Sequence, residues 1–262
     1  GRATAERFAK AGWWIGAADL DEEGLERLRA DLGSDRCRTW PLDVTDAARF
    51  ETVASELAEA TGGQLHLLFN NAGIATAGFF DEVPLEAHRK LVDVNFLGVI
   101  HGILAALPLL KATPGSLCFT TSSSSSATYA VPGMATYSAT KFAVKGLTEA
   151  LAVELSRYDI RVADVLPGVI DTAIFDATPL YSGGKEVPAG LRPSKPPASR
   201  KGPFRLISPE DVAEAVWRAS EGDMRLHWYV PEDVEEIERA KTESVEALRD
   251  QRILAQRKRL GG

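Results

Sequence analysis

From its start to about position 230 the chain alternates short, unbroken apolar runs with longer stretches of helical periodicity. The runs Trp13–Ala18, Cys37–Leu42, Leu65–Phe69, Ser116–Thr121, Ile160–Leu166 and Leu226–Val230 read as strands. Between them, the first residues from Gly1, then Asp21–Leu32, Asp43–Ala60, Pro84–Leu110, Ala135–Arg157 and Pro209–Ser220 read as helices. Gly33 and the Gly62-Gly63 pair supply stop signals, and Asp46 and Ser208 supply amino-terminal caps. A strand that is apolar on both faces must be covered on both, so the pattern predicts a doubly wound parallel α/β sheet. No repeat and no interdomain linker interrupts the rhythm, so residues 1–262 are expected to form one domain.

Composition narrows what such a sheet can serve. A net charge of −7 argues against nucleic acid, which calls for a basic face. The two cysteines, Cys37 and Cys118, lie in strand-like runs and are expected to be reduced, as in a cytoplasmic protein. His66, His88, His101 and His227 show no metal-ligand spacing, so no metal site is expected. The most apolar stretch, Leu91–Leu110, contains Asp93, Asn95, His101 and Pro108 and reads as a buried helix rather than a membrane span. No leader peptide is visible.

Two segments break the rhythm. Residues 179–203 are rich in proline and glycine, follow the carboxyl end of a strand, and suggest a substrate lid over roughly residues 174–207. A flexible insertion is the competing account. Residues 231–262 form a charged, helical carboxyl-terminal extension with no chemistry assigned.

The sharpest chemical signal is Tyr137-Ser-Ala-Thr-Lys141 within the long helix. Residues four apart share a helix face, and an ammonium beside a phenol favours the phenolate and lowers its pKa from about 10. Such a pair is common on solvated helices and proves little alone. Here Ser124 lies upstream in the run Ser122–Ser126, at the end of a predicted strand, and the turn Val131-Pro-Gly-Met134 intervenes.

Together, Thr121–Glu154 resembles the catalytic segment of the short-chain dehydrogenase/reductase family, of the single-domain type with a Rossmann-like fold. The resemblance implies that Ser124 hydrogen-bonds the substrate oxygen, with Ser123 as the alternative. It implies that Tyr137 is the acid/base, and that Lys141 holds the nicotinamide ribose and lowers the tyrosine's pKa. Asn95, in Val94-Asn-Phe-Leu-Gly98, corresponds to the family's fourth catalytic residue, which kinks a helix and holds a relay water. Asn70-Asn-Ala-Gly73 resembles the cofactor turn, with Asn70 lining the adenosine side. In Leu42-Asp43-Val44, Asp43 would accept from the adenine amine, or serve only as a cap. Pro167-Gly-Val-Ile170-Asp-Thr172 resembles the turn that holds the carboxamide through Ile170 and Thr172.

Asp19 bears on the cofactor. A carboxylate after the second strand of such a sheet accepts both adenine-ribose hydroxyls and repels a 2′-phosphate, so NAD is expected over NADP. A helix cap is the plainer alternative. This acidic residue normally follows the glycine-rich phosphate loop by about 20 residues. That distance places Gly1 as the loop's last glycine, with the first strand of the sheet expected among residues upstream of it.

The function these residues imply is hydride transfer between NAD(H) and a secondary alcohol or ketone. Phe79, Tyr129, Met134, Phe175 and Tyr181 are candidate pocket residues for an apolar substrate. The same residues could act instead on a carbon–carbon double bond or a sugar derivative. An inactive nucleotide-binding or interaction protein of the same fold is the alternative class. The resemblance further implies a homodimer or homotetramer, associating through the helices that bear Asn95 and Tyr137.

Overall fold

The computed structural model describes residues 1–122, 131–172, 174–191, 202, 205–247, 249–250 and 253–254. The chain opens with helix α1 (Arg2–Lys10), strand β1 (Ile15–Asp19), α2 (Glu22–Leu32), β2 (Cys37–Pro41), α3 (Ala47–Thr61) and β3 (Leu67–Phe69). Local chemistry sets these boundaries. Asp21 Oδ1 accepts from Gly24 N and Asp46 Oδ1 from Arg49 N, each capping a helix start at 2.9 Å. Gly62 ends α3 in the left-handed region at φ 64°.

There follow α4 (Leu85–Val92), a π-helical turn (Asp93–Leu97), α5 (Gly98–Lys111), β4 (Leu117–Ser122), α6 (Ala135–Glu154) and β5 (Arg161–Pro167). The helix expected over 84–110, with the kink at Asn95 that the resemblance implies, carries its π-helical turn there. From Leu85 to Lys111 it is nonetheless long and apolar enough to cross a membrane, by length and composition alone. The interruptions do not disqualify it. Its packing against α3, β3, β4 and α6 is what gives it the character of a core helix.

After β5 come β6 (Val169–Ile170), α7 (Ile174–Ala177), β7 (Tyr181–Ser182), β8 (Lys185–Glu186), β9 (Leu206–Ile207), α8 (Pro209–Ser220), β10 (His227–Val230) and α9 (Val234–Glu243). The expected irregular lid is thus partly regular. β7 and β8 form an antiparallel hairpin, and β9 pairs in parallel with β6. Residues 192–201 of that segment lie outside the described residues.

The parallel sheet comes in two parts. β1 pairs with β2, while β10, β5, β4 and β3 run side by side in that order. Alternation along the strands sends side chains to two layers. Leu117, Phe119, Ala163 and Val165 face α8 and Phe8 of α1, whereas Cys118 and Val162 face Val99, Ile103 and Leu110 of α5 and Val144 of α6. The covered, doubly wound arrangement expected from the sequence is present on both sides. Phe119, Leu110, Val144, Val165 and Val216 are all fully enclosed.

β1 and β3 depart from that expectation. Both are apolar, yet Gly16 and Ala18 are exposed and β3 is only half-buried. Between the two strands lies a cavity of about 1030 Å³, lined by Thr4 and Phe8 of α1, Ile15 and Ala17 of β1, and Leu67 and Phe69 of β3. Among the described residues, neither strand has a ladder partner on the edge facing this seam. The two parts are joined instead by helix packing, notably α3 on α5 and α1 on α8. α5 permits close approach through Gly98 and Gly102. A Cβ on the first would lie 2.7 Å from Val44 Cγ2, and one on the second 2.2 Å from Asn70 Oδ1.

Candidate active site

Tyr137 and Lys141 both point inward from α6, with 9% and 4% of their surfaces exposed. Their i, i+4 spacing brings Lys141 Nζ to 5.5 Å from the Tyr137 ring centroid. Burial pushes the Lys141 ammonium down to about 8. The phenol ring packs in a small apolar cluster with Ala75 and Leu91, flanked by Ile74, Met134 and Ile174.

Asn95 sits in the π-helical turn and is fully buried. Its Oδ1 accepts from Ile74 N at 2.8 Å, and its Nδ2 donates to Ile74 O at 2.9 Å and to Thr140 Oγ1 at 3.3 Å. Thr140 Oγ1 in turn donates to the Tyr137 carbonyl at 2.7 Å. One amide thereby ties the loop after β3 to the helix bearing Tyr137 and Lys141. A helix widened by one residue per turn is how such a side chain reaches inward without breaking the helix axis. Gly73 completes the cluster: a Cβ there would lie 3.4 Å from Lys141 Nζ and 3.5 Å from Asn95 Oδ1. The structure thus brings together three of the four expected catalytic residues. Ser124 and its alternative Ser123 lie outside the described residues.

The expected adenosine contacts gather at the other end. Gly1, Asp19, Val44 and Asn70 all line the large cavity. Gly1 caps α1 and its nitrogen donates to Asn71 Oδ1 at 2.9 Å. A Cβ on Gly1 would lie 2.9 Å from Asn71 Nδ2, so the helix start comes close to the 70–73 turn. A helix amino terminus with exposed backbone N–H groups suits a phosphate. Asp19 ends β1, and its Oδ1 accepts from Asp21 N at 3.1 Å. Asp43 Oδ1 accepts from Thr45 N at 2.9 Å and Oγ1 at 2.8 Å, which holds its carboxyl below its ordinary range. Asp43 is therefore a turn-forming residue here, and it does not line the cavity. Asn70 Nδ2 donates to Phe119 O at 3.2 Å, tying the ends of β3 and β4.

Ile170 and Thr172 stand beyond the end of β5. Ile170 belongs to β6, held by β9 through an Asp171 N to Ile207 O bond of 2.9 Å, and Thr172 N donates to Ile170 O at 3.0 Å. Of the expected pocket residues, Met134 flanks Tyr137. Phe79 lies on the loop that the Ala77–Leu180 bridge joins to β7, whose first residue is Tyr181. Tyr129 and the Phe175 side chain lie outside the described residues. Sequence reasoning missed Ile74, Thr140 and Ile174. Thr140 stood within the Tyr137–Lys141 segment itself, but nothing in a single sequence tied it to Asn95. Cys37 and Cys118 are free and buried, and burial pushes the Cys118 thiol up to about 12, so neither is a reactive thiolate.

Comparison with known proteins gives this geometry a context. A family model described as short chain dehydrogenase matches residues 1–180. A 3-alpha-(or 20-beta)-hydroxysteroid dehydrogenase of Mycobacterium tuberculosis is 41% identical over 162 residues, or 61% of this chain and 60% of that protein's own length. A 2,5-dichloro-2,5-cyclohexadiene-1,4-diol dehydrogenase of Sphingobium indicum is 36% identical over 197 residues, covering 72% of this chain and 77% of that one. Among solved structures, a short chain dehydrogenase/reductase of Burkholderia phymatum in complex with NAD superposes with a TM-score of 0.78 at 26% identity, over 95% of this chain and 90% of that one. An alcohol dehydrogenase of Thermococcus sibiricus complexed with 5-hydroxy-NADP gives 0.71 at 25% identity, over 87% and 90%.

Proposed function

The chain belongs to the short chain dehydrogenase family, and from that premise we propose that it is an NAD-dependent oxidoreductase acting on secondary alcohols or the matching ketones. One observation supports this above others: Tyr137 and Lys141 are buried on one face of α6, and Lys141 Nζ and Asn95 Oδ1 both lie close to the Cβ position of Gly73. A solvated Tyr–Lys pair would not be enclosed in this way.

The residues fit a dinucleotide. The cavity reaches from Gly1 at the α1 amino terminus to Asp19, Val44 and Asn70. The α1 start would receive the pyrophosphate and the Asp19 carboxylate the adenine-ribose hydroxyls. Val44 and Asn70 would flank the adenosine, and Asp43 would meet the adenine amine through an oxygen turned from Thr45. Ile170 and Thr172 would hold the carboxamide, and Lys141 the second ribose. Bound nicotinamide would supply the hydride acceptor or donor.

In alcohol oxidation the Tyr137 phenolate takes the hydroxyl proton, and in ketone reduction the phenol returns it. Lys141, still protonated below about pH 8, favours the phenolate. Asn95, fixed to Ile74 and Thr140, keeps the lysine's surroundings in register. Ser124 would hydrogen-bond the substrate oxygen. NAD is preferred to NADP because Asp19 would repel a 2′-phosphate, and its exposed neighbour Leu20 offers no cation. Ile74, Met134 and Ile174 around Tyr137 favour an apolar alcohol, and the names of the hydroxysteroid and dichlorocyclohexadienediol dehydrogenases are in keeping with one. Leu104 and Val153, exposed on α5 and α6, suit association with a second copy.

The test follows nicotinamide absorbance across a panel of alcohols and ketones with wild type and Tyr137→Phe. Turnover with NAD that the variant loses is the expected result. A fully active variant would overturn the mechanism, and faster turnover with NADP would overturn the role of Asp19. Cofactor binding without turnover on any substrate would favour an inactive nucleotide-binding protein.

A further inference from the structure

α9 presents Val234, Ile237, Glu238 and Lys241 along one side at i, i+3, i+4 and i+7, and this is the side that docks. Val234 is fully enclosed. Glu238 pairs with Lys145 of α6 and accepts from the Tyr229 hydroxyl of β10. Lys241 Nζ lies 4.1 Å from the centroid of the Phe142 ring, again on α6. At the other end Asp233 Oδ2 accepts from Arg205 Nη1 at 2.7 Å.

These contacts converge on two segments already placed at the site. Phe142 follows Lys141 directly, and Lys145 lies one turn beyond it on the same face of α6. Arg205 precedes β9, the strand that holds the Val169–Ile170 turn. The same turn is fixed to β10 by a Gly168 N to Val230 O bond of 2.7 Å.

The two ends of α9 are not equal. The Arg205–Asp233 pair is more than a third exposed, so it is worth little by itself. The Lys145 and Glu238 side chains are only 11% and 21% exposed. Losing Glu238 would leave Lys145 poorly solvated, in a pocket it shares with Glu149, Asp164 and Lys241. Tyr229 is pushed up to about 12, by burial first and then by Asp164, Glu235 and Glu149, so its hydroxyl remains a donor to Glu238.

We propose that α9 is a strap that holds α6 and the Val169–Ile170 turn in mutual register, with Glu238 as its central positioning residue and Asp233 as the second. The proposal rests on the reading of Tyr137 and Lys141 as catalytic. It assigns chemistry-supporting work to α9, whose described contacts lie with α6, β10 and Arg205.

The test compares wild type, Glu238→Gln, Asp233→Asn and the neutral pair Lys145→Gln/Glu238→Gln. Amide hydrogen exchange reads register without any cofactor. In Glu238→Gln, protection at residues 169–171 and 206–207 is expected to fall by about tenfold or more, while β4 and β5 keep theirs. Asp233→Asn should lose protection at 206–207 only, and the neutral pair, which leaves no uncompensated charge and keeps an acceptor for Tyr229, should recover much of the protection at both segments. With NAD present, Glu238→Gln should raise the cofactor KM several-fold and change kcat less. Unchanged exchange at those segments, or equal loss throughout β4 and β5, would overturn the strap and leave a merely structural contact. Wild type that never turns over NAD would overturn the catalytic reading instead, and the exchange data would still judge the strap.

Discussion

Lys141 Nζ lies 5.5 Å from the centre of the Tyr137 ring, and both residues are buried one turn apart on α6. An ammonium enclosed this closely beside a phenol is costly to fold and useful to catalysis. That tension organises the expectations below.

Replacing Tyr137 by Phe removes one hydroxyl and keeps the ring that packs between Met134 and Ile174. Turnover should fall by about a hundred- to ten-thousand-fold, the range for loss of a general acid/base. Steady-state rates measure this. Melting temperature and NADH affinity should hold near wild type.

Lys141→Met separates stability from activity. Burial lowers the ammonium from 10.5 to about 8 in the folded state. Below pH 8 the lysine is protonated whether folded or not, and the folded protein bears the whole desolvation cost. Between pH 8 and 10.5 the unfolded chain binds more protons, so wild-type stability rises with pH. The Met variant should therefore be more stable than wild type below pH 8, by at most about 3.5 kcal/mol at roughly 1.4 kcal/mol per unit. The gap should close as pH rises towards 10.5, while turnover is lost throughout. A gap that widens with pH would refute the assignment of burial as the cause.

Asn95→Ala leaves both the N–H and the C=O of Ile74 without their side-chain partner. Two buried backbone groups deprived of hydrogen bonds should cost about 2–4 kcal/mol, read by denaturant titration. Activity should drop further than stability accounts for, because Thr140 and the Tyr137 carbonyl lose their tie to the 74 loop.

Asp19→Ser tests cofactor choice. With the carboxylate gone, the ratio of kcat/KM for NAD over NADP should fall by about tenfold or more, some 1.4 kcal/mol of differential binding. An unchanged ratio would mean that Asp19 serves only the Asp21 backbone.

Gly102→Ala probes the approach of α5 to the cofactor turn. The added methyl would meet Asn70 Oδ1 at 2.2 Å and Phe50 Cζ at 2.9 Å. Overpacking of this kind costs about 1–3 kcal/mol. Because Asn70 also holds the Phe119 carbonyl, NADH affinity should weaken together with the melting temperature.

Much of this was legible in the sequence where local chemistry dictates local structure. Asp46 and Ser208 cap the helices expected of them and Gly62 stops α3, whereas α2 is capped by Asp21 and not by Asp19. The Tyr137–Lys141 face followed from helical periodicity alone. Other features depend on contacts between distant segments. The irregularity at Asn95 is implied by resemblance and not by the apolar helical pattern, and its bonds to Ile74 and Thr140 join segments that periodicity cannot relate. The β7–β8 hairpin is too short for periodicity to declare.

The tie at Asn95 has a dynamic meaning. Its amide bonds both backbone groups of Ile74 and the Thr140 hydroxyl, so the loop after β3 and the helix bearing Tyr137 and Lys141 are joined through one side chain. Local opening of that loop should therefore carry the Tyr137 segment with it, and the two should exchange their amide protons together.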